Sequence, residues 1–458
     1  MHSAARHPSV SSHDLARLAA GAVARLRAAG AREGGTLAAV LPSGPELAVL
    51  IHAAPALGAP LLPLDPALPD ATLGALLARA DAGLVVAARD LPGWRCLPPA
   101  GLLDGPEAAP PPSRLRPDDI ALMVATSGSS GEPKTVMLTA RALEAAAHAS
   151  QASTPLGPGD RWLACLPLFH IGGYSILARC VLAGAEAVLH AGFDAERVWH
   201  AIQHEGTTHL SLVPTMLARL LETATVPPEP TLRHVLVGGA ALSGELAERA
   251  ARLGWPLQPT YGMSETAAQI ATLARLPRPW RPGQVGAPLP GVELALAADG
   301  RLKVRGPMLM AGYANPGHAP GDGLEDGWFV TNDLAAIGAD GELTVLGRAD
   351  ATIVSGGKKI PPQQVEDALA HCPGIGAVGV VGRPDEVWGE VVCAVYAGAA
   401  DEAELLAWCR AHVAPALLPR AALRVAALPL LSNGKPDRRA LRELVVQAQA
   451  EAGRGGEA

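Results

Sequence analysis

Residues 126–136 read TSGSSGEPKTV, and the fold turns on what that run is. The apolar segment IALMVAT (120–126) feeds straight into it, so a buried strand ends in a Ser/Gly turn. Serine hydroxyls and glycine-freed backbone N–H groups bind phosphate oxygens, and Lys134 adds a point charge. The run departs from the P-loop pattern G-x-x-x-x-G-K-[ST], because Pro133 stands where a glycine should precede Lys134. Taken alone, it is equally a solvated surface turn.

Outward from this strand, short apolar runs alternate with helical stretches. LAAVL (37–41), PLLPL (60–64), GLVVAA (83–88), RWLACLPL (161–168), AEAVLH (185–190), HLSLVP (209–214) and HVLVGG (234–239) read as strands. Ser12–Gly30 reads as an amphipathic helix. Such alternation predicts layered α/β architecture with largely parallel sheets. From about residue 285 the texture becomes β-rich, with strands joined by Asp-Gly turns. After Gly347 a further unit begins, with strands at 375–383 and 391–398 and helices near 362–371, 401–413 and 438–450. The Pro-rich segment 104–119 reads as a loop.

Composition removes several function classes. The 458 residues are 49% hydrophobic and 18% charged, which is globular. Aromatics are 3% and the net charge is −7, which argues against nucleic acid as a partner. The six cysteines lie far apart without a C-x-x-C, so neither zinc nor disulfides are expected and a reduced, cytoplasmic setting is. The N-terminus lacks a signal-type apolar stretch. Leu47–Leu64 is uncharged but holds Pro55, Gly58, Pro60 and Pro63, so no membrane span is expected; a helix over 45–57 and a strand near 59–64 fit better. A homodimer is compatible with this composition.

Four other segments change the weight of the opening run. YGMSETAAQ (261–269) sets Glu265 after a glycine-containing turn, and a glutamate can hold Mg2+ beside a triphosphate. GWFVTND (327–333) ends in Asp333, able to accept both hydroxyls of a ribose. LGRADATIVSGGKKI (346–360) carries Arg348, then a glycine pair and two lysines; LSNGKPDRR (431–439) presents Lys435. Singly each is weak: a lone Asp after a strand is more often a cap, and a lone surface Lys is usually solvated.

In this order and spacing the segments resemble the adenylate-forming, or AMP-binding, enzymes: acyl-CoA ligases, luciferases and nonribosomal adenylation domains. The resemblance runs almost end to end, from LPSGPELAVLIHA (41–53) and PLLPLDPALP (60–69) to the C-terminal Gly-Lys pair. Within the family, LPLFHIGGYSI (166–176), YGMSETAAQIATL (261–273) and VRGPMLMAGY (304–313) look most like o-succinylbenzoate–CoA ligases of menaquinone synthesis. The family's loop is usually TSG-[ST]-[ST]-G-x-P-K-G, so Pro133 belongs there. Thr135 replaces the customary glycine, and its β-branch is expected to stiffen or shift the turn. The implied fold is α/β: a large N-terminal domain of layered sheets plus a β-rich subdomain (1–349), then a small mobile α+β C-terminal domain (350–458).

The resemblance also implies the chemistry. A carboxylic acid attacks the α-phosphorus of ATP, and the acyl adenylate then passes to the thiol of coenzyme A. Thr126, Ser127, Gly128, Ser129, Ser130, Gly131 and Lys134 would hold the outer phosphates. Glu265 would hold Mg2+, with Gly262, Met263 and Ser264 beside the nucleotide. Gly238, Gly239 and Ala240 would lie against adenine, with Tyr261 on its other face. Asp333 and Arg348 would meet the ribose, and Lys435 would bridge the α-phosphate and the incoming carboxylate. His170 would orient the acid, with Gly172 and Gly173 leaving room beside it and Gln269 and Thr272 in the acyl pocket. Asp350 matches the hinge about which the C-terminal domain turns, bringing Ser355, Gly356, Gly357 and Lys358, with Lys359, to coenzyme A. Asn332 stands where the family has glycine, to touch the ribose rim or face water, and SGGKKIPP replaces an SGGENIYP-like run. Transfer to a separate carrier protein, a ligase for another acid, a non-catalytic relative and a P-loop ATPase are the competing expectations, the last weakened by the missing Gly–Lys pair.

Overall fold

The computed structural model describes residues 9–104, 112–126, 133–430 and 436–455. Two seven-stranded sheets form its larger part. One runs Ser9–Ser11, Glu186–Leu189, Arg161–Ala164, His209–Leu212, His234–Val237, Leu257–Met263, Ala268–Thr272, parallel except at its two ends. The other runs Gly312–Tyr313, Lys134–Thr139, Ile120–Thr126, Leu61–Leu64, Thr36–Val40, Ala82–Ala87, Cys96–Leu97, antiparallel at the Gly312 end and parallel beyond Ile120–Thr126. Short runs such as TLAAV are buried along their whole length, as expected of strands covered on both faces. A single cluster of buried side chains joins the two sheets, from Val124 and Val136 to Trp162 and Ile270.

The helix Pro45–Leu57, at the start of the uncharged apolar stretch, packs into this cluster. Nine of its residues are buried, which is why it is hydrophobic all round. Proline occupies its first turn, where no N–H is missed, and Gly58 ends it at φ 71°. No helix among the described residues is long and apolar enough to cross a membrane.

The β-rich texture after residue 285 is a five-stranded antiparallel sheet, Gln284–Gly286, Leu343–Arg348, Phe329–Ile337, Arg301–Arg305, Glu293–Leu296. Its Asp-Gly turns place Gly300 and Gly341 at φ 84° and 81°, which only glycine adopts cheaply. The C-terminal residues build another sheet around the long hairpin Ile375–Asp385 and Gly389–Gly398. Helix Arg438–Gly455 and helix Pro362–Leu369 pack on it, and the latter also rests on strand Leu343–Arg348.

Two expectations fail in detail. Thr135 lies not in a turn but inside strand Lys134–Thr139, opposite Ala125, and is not among the residues of positive φ. Its β-branch therefore suits the strand. Gly262 likewise sits in strand Leu257–Met263 rather than in a turn; any side chain there would overlap the Ala268 carbonyl of the returning strand.

Candidate active site

The antiparallel strands Ile120–Thr126 and Lys134–Thr139 bracket the Ser/Gly run, pairing Thr126 with Lys134. Ser127, Gly128, Ser129, Ser130 and Gly131 lie outside the described residues. The Thr126 hydroxyl donates to the Lys134 carbonyl at 3.4 Å. The exposed Lys134 side chain reaches over the Tyr313 ring, with Nζ 4.5 Å from its centre. The Tyr313 hydroxyl donates to Oε1 of Glu265 at 2.9 Å. The lysine of one sheet and the glutamate of the other are thus joined through one phenol.

Glu265 stands on the single turn Ser264–Thr266, which joins strands Leu257–Met263 and Ala268–Thr272. The turn closes with Ala267 and Ala268 at φ 49° and 99°, a conformation that alanine adopts at a cost. Among the described residues, no group of three or more His, Cys, Asp or Glu gathers to hold a metal. Glu265 is a lone carboxylate, a donor set that fits Mg2+ carried mainly by substrate phosphates.

A second chain of contacts starts at Tyr261. Its hydroxyl donates to Oδ2 of Asp333 at 2.5 Å; burial, then the Asp333 charge, pushes the phenol well above its ordinary pKa. Asp333 faces Arg348 across the strand pair, with Oδ1 3.7 Å from Nη1. Arg348 also donates to both oxygens of Asp350, at 2.9 and 2.5 Å. Asn332 Nδ2 donates to the same Asp350 carboxylate at 3.5 Å, so it reaches the expected hinge residue. Gly238 packs against Thr260, the residue before Tyr261, where a Cβ would lie 2.7 Å from Cγ2.

His170 precedes helix Ile171–Ala183, and its carbonyl accepts the N–H groups of Gly173 and Tyr174. Glycine is required at 173 because a side chain would overlap the Pro167 carbonyl; backbone fills the space expected to be left open beside His170. Gly172 meets only the Leu166 side chain. Gln269 and Thr272 are buried and bonded to each other at 2.8 Å, with Thr260 as a further partner, so they form an interior network rather than an open wall.

No sequence motif marks Arg179. It is 3% exposed in mid-helix, with its guanidinium 5.4 Å from the centre of the Trp162 ring. Among the described residues no carboxylate pairs with it, and its Nε has no hydrogen-bond partner. Burial lowers its pKa to about 10, so it stays cationic at neutral pH. It lines a narrow cleft, partly open to solvent, with room for about one water molecule. Ile171, Tyr174, Ser175, Ala178 and Ala267 share that wall, so the cleft adjoins both His170 and the Glu265 turn. One signal was legible: Arg179 is the single charge in the 13-residue helix IGGYSILARCVLA.

In the C-terminal sheet, Ser355 is buried, and Gly356 and Gly357 form the two-residue turn between Ile353–Ser355 and Lys358–Ile360 at φ 57° and 78°. The turn alone explains both glycines, and Gly356 also lies under Trp388, 2.5 Å from where its Cβ would be. Lys358 is exposed. Lys435 lies outside the described residues; its described neighbours Leu430 and Pro436 pair in an isolated antiparallel bridge.

The two-layer scaffold with its phosphate-type hairpin, lone glutamate and ribose-type Asp–Arg pair has a counterpart among known proteins. The model of the AMP-binding enzymes matches residues 4–314, and that of the AMP-binding enzyme C-terminal domain matches residues 364–435. The chain belongs to the AMP-binding enzyme family. It is 35% identical over 430 residues to a 2-succinylbenzoate–CoA ligase of Bacillus licheniformis, covering 90% of both chains. With a ligase of the same description from Bacillus cereus it shares 33% over 434 residues, 91% of this chain and 89% of the relative. The o-succinylbenzoate CoA synthetase of Bacillus subtilis, solved with its acyl-adenylate intermediate, superposes with a TM-score of 0.83 at 29% identity, covering 94% of this chain and 92% of that one. The same synthetase has been solved with ATP and a magnesium ion (TM-score 0.82, 30% identity, 93% and 92% covered).

Proposed function

We propose that the protein is an AMP-forming acid–thiol ligase that converts o-succinylbenzoate to its coenzyme A thioester through an acyl adenylate, using ATP and Mg2+. Family membership and the relatives above support the reaction class. Arg179 carries the choice of acid. A dicarboxylate must bury the carboxylate that does not react, and a buried anion needs a cation. A buried guanidinium without an acid has the mirror-image cost, and the two offset each other in the complex. The cleft beside the guanidinium is lined by Ile171, Ala178 and Ala267 and must widen to admit the acid.

In this reading the segment 126–131 and Lys134 hold the outer phosphates of ATP, and Asp333 and Arg348 hold the ribose. Tyr261 keeps the Asp333 carboxylate oriented through its 2.5 Å hydrogen bond. Glu265 holds the metal, which when bound supplies charge neutralisation at the phosphates. His170, at the mouth of the helix that carries Arg179, steers the reacting carboxylate toward the α-phosphorus, and Lys435 offsets the charge that develops there. Residues 350–458 act as a unit that turns about Asp350 and exchanges Lys435 for Ser355–Lys358 when the thiol attacks. We place the enzyme in the cytoplasm, where ATP and coenzyme A meet.

The test is pyrophosphate exchange with a panel of acids, for the wild type and Arg179→Met. Wild type is expected to prefer o-succinylbenzoate over benzoate and short aliphatic acids. Arg179→Met should raise the KM for o-succinylbenzoate by about 100-fold, the cost of removing one partner of a desolvated charge pair, and leave the KM for ATP unchanged. A wild-type preference for monoacids, or an Arg179→Met enzyme that handles the dicarboxylate normally, would defeat this assignment.

A further inference from the structure

Glu265 and Lys134 arrive from different sheets, and the described residue that touches both is Tyr313. Its backbone is fixed from several directions. It pairs with Val136 in register, Ala314 N–H donates to the Thr135 carbonyl at 2.7 Å, and Met310 N–H donates to the Glu265 carbonyl at 2.8 Å. Tyr313 N–H itself donates to the Asp322 carbonyl at 3.0 Å. The ring is confined as well, since a Cβ at Gly323 would stand 2.5 Å from Cε2. Only glycine at 323, where φ is also +84°, lets the ring lie there.

We propose that Tyr313 is a positioning residue: its phenol fixes one carboxylate oxygen of Glu265 so that the other faces the nucleotide's metal, while its ring holds Lys134 beside the phosphates. The proposal rests on the assignment of Glu265 to the metal made above. It follows from the bond geometry, in which Oε1 is occupied by the phenol at 2.9 Å. A carboxylate held by an outer hydrogen bond presents its free oxygen without first having to be ordered. The ring face supplies an electrostatic seat for the ammonium group without neutralising it, which leaves Lys134 available to phosphate.

The experiment measures Mn2+ binding by electron paramagnetic resonance, with the full chain saturated with a non-hydrolysable ATP analogue, alongside KM for ATP at saturating Mg2+. Tyr313→Phe keeps the ring and removes the donor. It should weaken Mn2+ about tenfold, in line with the loss of an outer hydrogen bond to a metal ligand, and leave the KM for ATP in place. Tyr313→Leu should weaken Mn2+ equally and raise the KM for ATP as well, because Lys134 loses its seat. Gly323→Ala, which displaces the ring without altering Tyr313, should reproduce the metal defect. Glu265→Gln is the reference. If it weakens Mn2+ while Tyr313→Phe binds like wild type, Tyr313 merely packs and the proposal falls. If Glu265→Gln binds Mn2+ like wild type, the metal assignment itself is wrong and the proposal falls with it.

Discussion

Thr135 is fully buried, and its hydroxyl has no hydrogen-bond partner among the described residues. It lies in strand Lys134–Thr139 on the same side as Met137, which belongs to an apolar cluster with Met123 and Ala125. Valine has the same shape without the hydroxyl, so Thr135→Val should stabilise the protein by about 1 kcal/mol, the cost of leaving one polar group unsatisfied. A higher midpoint in urea with an unchanged slope would show it; a lower midpoint would mean the hydroxyl is satisfied after all. At this scale the sequence revealed residue types but not their neighbours. Asp333, Arg348 and Glu265 were legible because their motifs are local. Tyr313 was not, because its role depends on a hydrogen bond to a residue 48 positions away. Arg179 was legible only as an anomaly, a charge within an apolar helix.

Elements were easier to read where burial imposes a pattern. The strands Ile120–Thr126 and His234–Val237, and the helix Pro45–Leu57 with its proline start and glycine stop, lie where the apolar runs and breakers put them. The strand Lys134–Thr139 was hidden because its pairing with Ile120–Thr126 and with Gly312–Tyr313 is tertiary. The hairpin at Gly356–Gly357 allows a comparison of two glycines in one turn. Both have positive φ, but only Gly356 lies against a ring, that of Trp388, while Gly357 faces open space. Gly357→Ala should cost about 1–2 kcal/mol from the left-handed backbone alone. Gly356→Ala pays the same backbone cost and must also displace Trp388. Under the proposed function, it should slow thioester formation more than Gly357→Ala does, while both retain pyrophosphate exchange. Equal effects in the thioester step would remove Trp388 from the explanation.

Across the whole molecule, the two large sheets share one core, so a charge forced into that core bears on both at once. His52 lies in helix Pro45–Leu57, whose other residues belong largely to that core. Its Nε2 is buried without a hydrogen-bond partner among the described residues, and burial lowers its pKa from 6.5 to about 4. Burial has the same effect on His209, in the strand His209–Leu212, whose ring stacks on Trp162 and His234. The sign follows from proton counts. Between pH 6.5 and 4 the unfolded chain has these rings protonated and the folded chain does not, so the unfolded state binds more protons. Stability should therefore be unaffected by these rings above pH 6.5 and fall as the pH is lowered toward 4, by up to about 3 kcal/mol for His52. His52→Leu should flatten that decline by its own share and leave the pH dependence above 6.5 as it was, because a neutral ring and an apolar side chain respond alike there. Urea unfolding of both proteins at pH 7.5, 6.0 and 5.0 measures the difference directly. If the two curves run parallel through the whole range, the ring is reached by water in the folded state, and the shared core is more open around this helix than its packing indicates.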